Sequence, residues 1–189
     1  EGLDVPRRRV PFHRRAEARV DVGVAARERR FGQLERVDAA GRDEHQPSRW
    51  VTRVRPKIDR VACPWLIRRF IDPEAKFYFV APAQVAAVAA DIGGIAYDID
   101  GVDFGHEGPL CTFDTLIRRF GLDDPHLAAV ALVVRGADTA RLDLAPEAAG
   151  LLAVSLGNSA LAGGNDHLAL ELGFPVYDAL LERDGTQLL

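Results

Sequence analysis

Between Asp98 and Asp114 the chain reads DIDGVDFGHEGPLCTFD, which packs one of five histidines, one of two cysteines and five carboxylates into seventeen residues. Imidazole, thiolate and carboxylate are the groups that ligate divalent cations and move protons, so the segment reads as a site rather than a linker. His106 and Cys111 stand in one Gly- and Pro-containing loop, with Glu107 adjacent and Asp114 just inside the next helix. From there all four can converge on a divalent transition metal without helical geometry forcing them apart. Asp98 and Asp100 share one strand face, which suits a hard cation. Two or three ligands from one loop do not close a site, however. The competing reading makes Asp114 an acid at a helix N-terminus, Cys111 part of the core and His106 a solvated loop residue.

The second cysteine, Cys63, lies in IDRVACPWLIRRF. Directly before Pro64 it could cap a helix, where the positive helix end favours the thiolate and makes it the candidate reactive group. Alternatively the helix starts earlier, capped by Asp59, and Cys63 is a buried small hydrophobe. Basic residues form another set: Arg53 and Arg55 on one strand face, Lys57 and Arg60 in the loop that follows, Arg68 and Arg69 on the helix, and Arg135 and Arg141 in RGADTAR. Arginine forks suit tetrahedral oxyanions, so Arg53, Arg55, Lys57 and Arg60 are candidate anion ligands; for any one arginine, pairing with an acid of the domain competes. His126 and His167 have weaker claims, as residues near helix starts.

These residues need elements to hold them. WVTRVR alternates from Trp50 and predicts a strand. Cys63 to Ile71 predicts a helix with Pro64 at its first position and Asp72-Pro73 ending it. KFYFV is a short strand, PAQVAAVAADIGG a helix closed by glycines, and Ile95, Tyr97 and Ile99 alternate as a third strand. Three strands joined by two helical crossovers predict parallel, right-handed units, β-α-β-α-β. After Cys111 the pattern turns helical: Phe113 to Phe120, then PHLAAVALVV, a loop RGADTARLDL, a helix from Pro146 to near Gly157, and a last pair, DHLALEL and PVYDALLE. The expected fold is thus α/β, a small mostly parallel three-stranded sheet followed by a helical C-terminal half. Ligands gather at the carboxyl edge of a parallel sheet, which would bring the Cys63 and His106 segments together.

Composition narrows the function. The 189 residues carry a net charge of −4, divided as +2 over residues 1–48 and −6 over residues 49–189. An acidic folded part argues against a sequence-independent grip on nucleic acid. Residues 1–48 are Arg-rich, with interleaved acids and no sustained periodicity, and are read as a disordered extension. No apolar run is long enough for a membrane span, and no secretory signal is visible, so a cytoplasmic protein with free thiols is expected. Motifs of the nucleotide-binding loops, serine hydrolases, zincins and thioredoxins are absent.

RPKIDRVACPWLIRRFIDPEAKF, YDIDGVDFGHEGPLCTFD, FGLDDPHL, VRGADT, LAPEAAGLLAVSLG and VYDALL follow one another in a fixed order. In these motifs the chain resembles the C-terminal domain of ChrB-type chromate-resistance proteins, from about Trp50 to Leu181. The resemblance implies a role in bacterial chromate resistance, in part as a chromate-responsive regulator of efflux. Regulatory members carry an N-terminal DNA-binding region. The leading 48 residues here are too short and irregular for one, so direct DNA binding is not expected. Some members are described as exported, which finds no signal segment here. The expected function is a chromate-resistance domain that senses or binds chromate, a similar oxyanion or a metal ion. The alternative is a metal- or thiol-dependent enzyme that reduces chromate or removes its oxidative by-products. Cys63, His106 and Cys111 are the expected metal ligands, with Asp100, Glu107 or Asp114 supplementary. A homodimer is compatible with this reading.

Overall fold

The computed structural model describes residues 47–183. The expectation of a disordered extension therefore falls, except for Pro47 and Ser48, outside the described residues. Strand β1 (Arg49–Arg53) lies between β2 (Lys76–Val80) and β3 (Ile95–Ala96), and both pairings are parallel. Trp50 aligns with Phe77 on one side and Ile95 on the other. The crossovers are α1 (Asp59–Leu66), which runs through a wide turn at Ile67–Ile71, and α2 (Val85–Asp91). Four helices follow: α3 (Thr112–Arg119), α4 (Pro125–Asp138), α5 (Ala148–Ala162) and α6 (Asp166–Glu182). The expected parallel α/β sheet with a helical C-terminal half is the observed architecture.

Each sheet face has its own cover. Val51 packs with Val85 and Ala89 of α2, ringed by Tyr78, Val80, Ala96 and Ile99. On the other face Trp50 meets Tyr97 and Phe104 edge-on, at ring separations of 6.0 and 5.2 Å. Beyond it α1 contributes Trp65, which lies over Phe113 of α3 at 6.2 Å and against Tyr177 of α6 at 5.7 Å. Aromatic contacts of this kind add to the burial of large apolar areas. Gly173 lets α6 approach α1 closely, since a Cβ there would collide with Val61 Cγ1.

Helix α5 runs on to Ala162 rather than ending near Gly157, and four further element boundaries differ from the sequence reading for local reasons. Helix α1 begins at Asp59, so Pro64 sits inside it, and the helix widens after the proline into a turn closed by Asp72 N–H on the Ile67 carbonyl at 2.7 Å. Strand β3 is only two residues long, because Asp98 turns the chain at φ 53°. The RGAD segment is the end of α4 rather than a loop; Gly136 is there for packing, its missing Cβ leaving room for Ala148 Cβ at 2.9 Å. Pro175 does not divide the last segment, and α6 is one helix.

Candidate functional site

At the carboxyl edge of the sheet, the loops after β1 and β3 and the end of α4 send side chains to one point. Asp59 opens α1, Asp98 ends the third strand segment, His106 comes from the loop beyond it and Asp138 from the last turn of α4. The Nε2 of His106 lies 3.2 Å from Asp98 Oδ1, 3.5 Å from Asp59 Oδ2 and 3.5 Å from Asp138 Oδ2. Asp59, His106 and Asp138 each offer a ligand atom within 4.8 Å of the others, a spacing from which three donors can close on a cation.

Each carboxylate is fixed by other bonds. Asp59, 1% exposed, accepts the backbone N–H groups of Thr112 and Phe113 at 2.8 and 2.9 Å, and so caps α3 from 53 residues away. Its Oδ1 also accepts the Cys63 thiol at 3.3 Å. Asp98 accepts from Thr112 Oγ1 at 3.1 Å, and pairs with Arg53 at 2.8 Å and Arg60 at 3.2 Å. With a protonated imidazole and all three acids ionised the local charges balance: three carboxylates against His106, Arg53 and Arg60.

The protonation states follow from that crowding. Hydrogen bonds to Asp59 and Asp98 raise the His106 imidazole to a pKa of about 10, so it is an imidazolium at neutral pH. Burial, reinforced by the charges of Asp59 and Asp98, pushes Asp138 up to about 7. Burial also works against ionisation of Asp98, but hydrogen bonds from His106 and Arg53 outweigh it and hold that carboxyl below its usual range. One nitrogen thus presents a single proton to three carboxylates, where a cation would serve all three.

The sequence candidates divide around this point. His106 is at its centre. Cys63 is fully buried in the second turn of α1, not at its N-cap, and burial, with the charges of Asp59 and Asp98, raises its thiol well above the usual range. The expectation of a helix-capping thiolate is corrected accordingly: the helix end that would favour ionisation belongs to Asp59. The topological expectation fares better, since Asp59 bonds both Cys63 and the His106 neighbourhood. Cys111 is the N-cap of α3, its thiol raised mainly by burial, and its N–H and S–H both donate to Asp114. Asp114 is turned to Cys111 and to Arg135 at 3.4 Å. Glu107 faces the far end of α3, where it pairs with Arg118 and Arg119. Asp100 is exposed on the rim of a cleft of about 400 Å³ lined also by Arg53, Pro82, Asp98, Ile99 and His106.

The four basic candidates do not form one set. Arg53 and Arg60 share Asp98, whereas Arg55 and Lys57 line a separate cleft with the α5–α6 turn. Asp138 escaped the sequence reading altogether, and Asp59 entered it only as a local cap. The available signal for Asp138 was the one acid in the mostly apolar PHLAAVALVVRGAD.

The geometry defines a small parallel α/β domain with a histidine–carboxylate centre at the carboxyl edge of its sheet. The family described as "ChrB, C-terminal domain" matches residues 50–183, and the chain belongs to this ChrB-type chromate-resistance family. Protein ChrB of Cupriavidus metallidurans (strain ATCC 43123 / DSM 2839 / NBRC 102507 / CH34) is 37% identical over 138 residues. That alignment covers 72% of this chain and 41% of the relative, so the chain spans about two fifths of that protein's length. No solved structure matches the chain. Among the described residues, no helix is long and apolar enough to cross a membrane.

Proposed function

We propose that this domain serves chromate resistance by binding a divalent transition-metal cation without turnover, with Asp59, His106 and Asp138 as donors and Asp98 beside them. The observation that carries the reading is the approach of three carboxylates to one imidazole nitrogen. Carboxylate oxygen with a single imidazole suits Mn²⁺, Fe²⁺ or Zn²⁺ better than soft cations that seek thiolates. Exchange of the imidazole proton for a divalent cation changes the local charge from zero to +1. Entry of a dianion into the protonated centre would leave it at −2, among three carboxylates.

Chromate or a similar oxyanion is the second reading, favoured by the cleft that Arg53 and protonated His106 both line. A reactive Cys63 has less support, because its thiol is buried and held protonated.

The deciding measurement is elemental analysis of protein purified without chelator, wild type beside His106→Ala and Asp138→Asn, followed by calorimetric titration with Mn²⁺, Zn²⁺ and chromate. About one equivalent of divalent cation in wild type, lost in both variants, is the expected result. Stoichiometric chromate binding with no cation uptake would replace the first reading with the second.

A further inference from the structure

The β1–α1 loop that delivers Asp59 contains a residue in the wrong conformation for its type. Ile58, immediately before Asp59, has φ 42° and ψ −102°. The Arg60 N–H closes on the Lys57 carbonyl at 3.0 Å, so Lys57–Arg60 is a turn with Ile58 at its first central position. Those angles lie near the first central residue of a type II′ turn, a place that glycine takes without penalty and a β-branched side chain resists. Something outside the loop must hold it. Both peptide groups of Ile58 are gripped by the C-terminal helices: its N–H donates to Ser155 Oγ of α5 at 2.9 Å, and its carbonyl accepts the Tyr177 hydroxyl of α6 at 2.7 Å. All three residues are buried. The same carbonyl accepts the first amides of α1, from Val61 and Ala62, so its direction sets the start of the helix. The Asp59 nitrogen belongs to the peptide whose oxygen Tyr177 holds.

We infer that Tyr177 and Ser155 are positioning residues for the cation site, acting through the strained Ile58 peptide to aim the Asp59 carboxylate at His106. The inference rests on the cation reading above. It explains why Asp59, a first-turn residue, can serve α3, Cys63 and His106 at once: the turn, not the side chain's own rotamers, fixes where α1 begins. Gly173, one turn before Tyr177, leaves room for Val61 of α1 and so brings α6 close to the helix that the loop opens.

The test uses the full chain in four forms: wild type, Tyr177→Phe, Ile58→Gly and the double variant, each titrated with Mn²⁺ by calorimetry. Tyr177→Phe should weaken Mn²⁺ binding about tenfold, as loss of a supporting bond behind a metal ligand commonly does. Ile58→Gly removes the strain that the hydroxyl opposes, so the double variant should bind to within about twofold of wild type. Tyr177→Phe binding like wild type, or a double variant no better than Tyr177→Phe, would overturn the inference. If wild type takes up no cation, the cation reading falls, and the positioning claim is decided by the urea midpoints of the same four proteins. A smaller loss from Tyr177→Phe in the Ile58→Gly background upholds it, and equal losses overturn it.

Discussion

Two buried acidic regions, Asp72 and the Asp59–Asp98–Asp138 group, solve the same problem differently. Asp72 is 1% exposed and is met by neutral donors from its own surroundings: the N–H and O–H of Ser48 at 2.7 and 2.5 Å, and the N–H of Glu74 at 2.9 Å. Trp50 Nε1 in turn donates to Ser48 at 2.8 Å. Those bonds tie the entry of β1 to the end of the first crossover, and the carboxylate needs no further partner. At the sheet's other edge three carboxylates crowd one imidazole, and Asp138 is driven up to about 7 by burial and by its acidic neighbours. Ionising that third acid costs stability that a neutral side chain of the same shape would not. The contrast separates an acid whose donors are all neutral from acids that share one imidazole, the arrangement on which the proposed cation site rests.

Breaking the contrast at Asp59 should have the largest effect. Asp59→Ala removes the cap of α3 and leaves Thr112 and Phe113 N–H groups unpaired, so we expect a loss of about 3–5 kcal/mol in urea unfolding. Asp138→Asn should divide stability from function: cation affinity falls about 100-fold, while stability at pH 7.5 rises by on the order of 1–2 kcal/mol. The sign follows from an acid whose folded pKa lies above its unfolded one. Its contribution is fully present below about 3.9 and is lost as pH rises through about 7 in wild type only, so the two proteins should converge near pH 4. Asp72→Asn should do the reverse, costing about 1–3 kcal/mol with cation uptake unchanged.

Smaller effects sharpen the same picture. Cation binding should tighten between pH 6 and 8 by up to about tenfold per unit for each proton displaced, because His106 and part of the Asp138 population must give theirs up. A flat titration across that range would place the ion elsewhere. Cys63→Ala should leave cation stoichiometry intact and cost about 1–2 kcal/mol of packing, read from the same unfolding curves.

How much of this was legible in the sequence follows from the range of each signal. Alternation in WVTRVR and Ile95–Tyr97–Ile99 is local and predicts strands, and the helical crossovers between them predict the parallel sheet, with both loops at one edge. His106 stood out by its company. Asp138 did not, because Gly136 reads as a breaker until Ala148 is seen against it. Asp59 looked like a cap for its own helix, whereas it caps a helix that starts 53 residues later. Arg53, Arg55, Lys57 and Arg60 look alike in sequence, but β1 ends at Arg53 and the chain turns at Arg55 with φ 58°, so Arg53 stays beside Asp98 while Arg55 and Lys57 line another cleft. Glu107 shares its loop with His106, but its partners are on α3. Tertiary partners of this kind carry no local periodicity.

Trp65 gives the protein a built-in optical reporter. It is one of only two tryptophans, is completely shielded from solvent, and touches Phe113 on the helix capped by Asp59 as well as Tyr177, which grips Ile58. Its indole N–H is tied to Asp178 at 2.8 Å, so the ring cannot drift independently of α6. Occupancy of the acidic centre and slackening of the loop grip should therefore register as emission changes from an unlabelled chain.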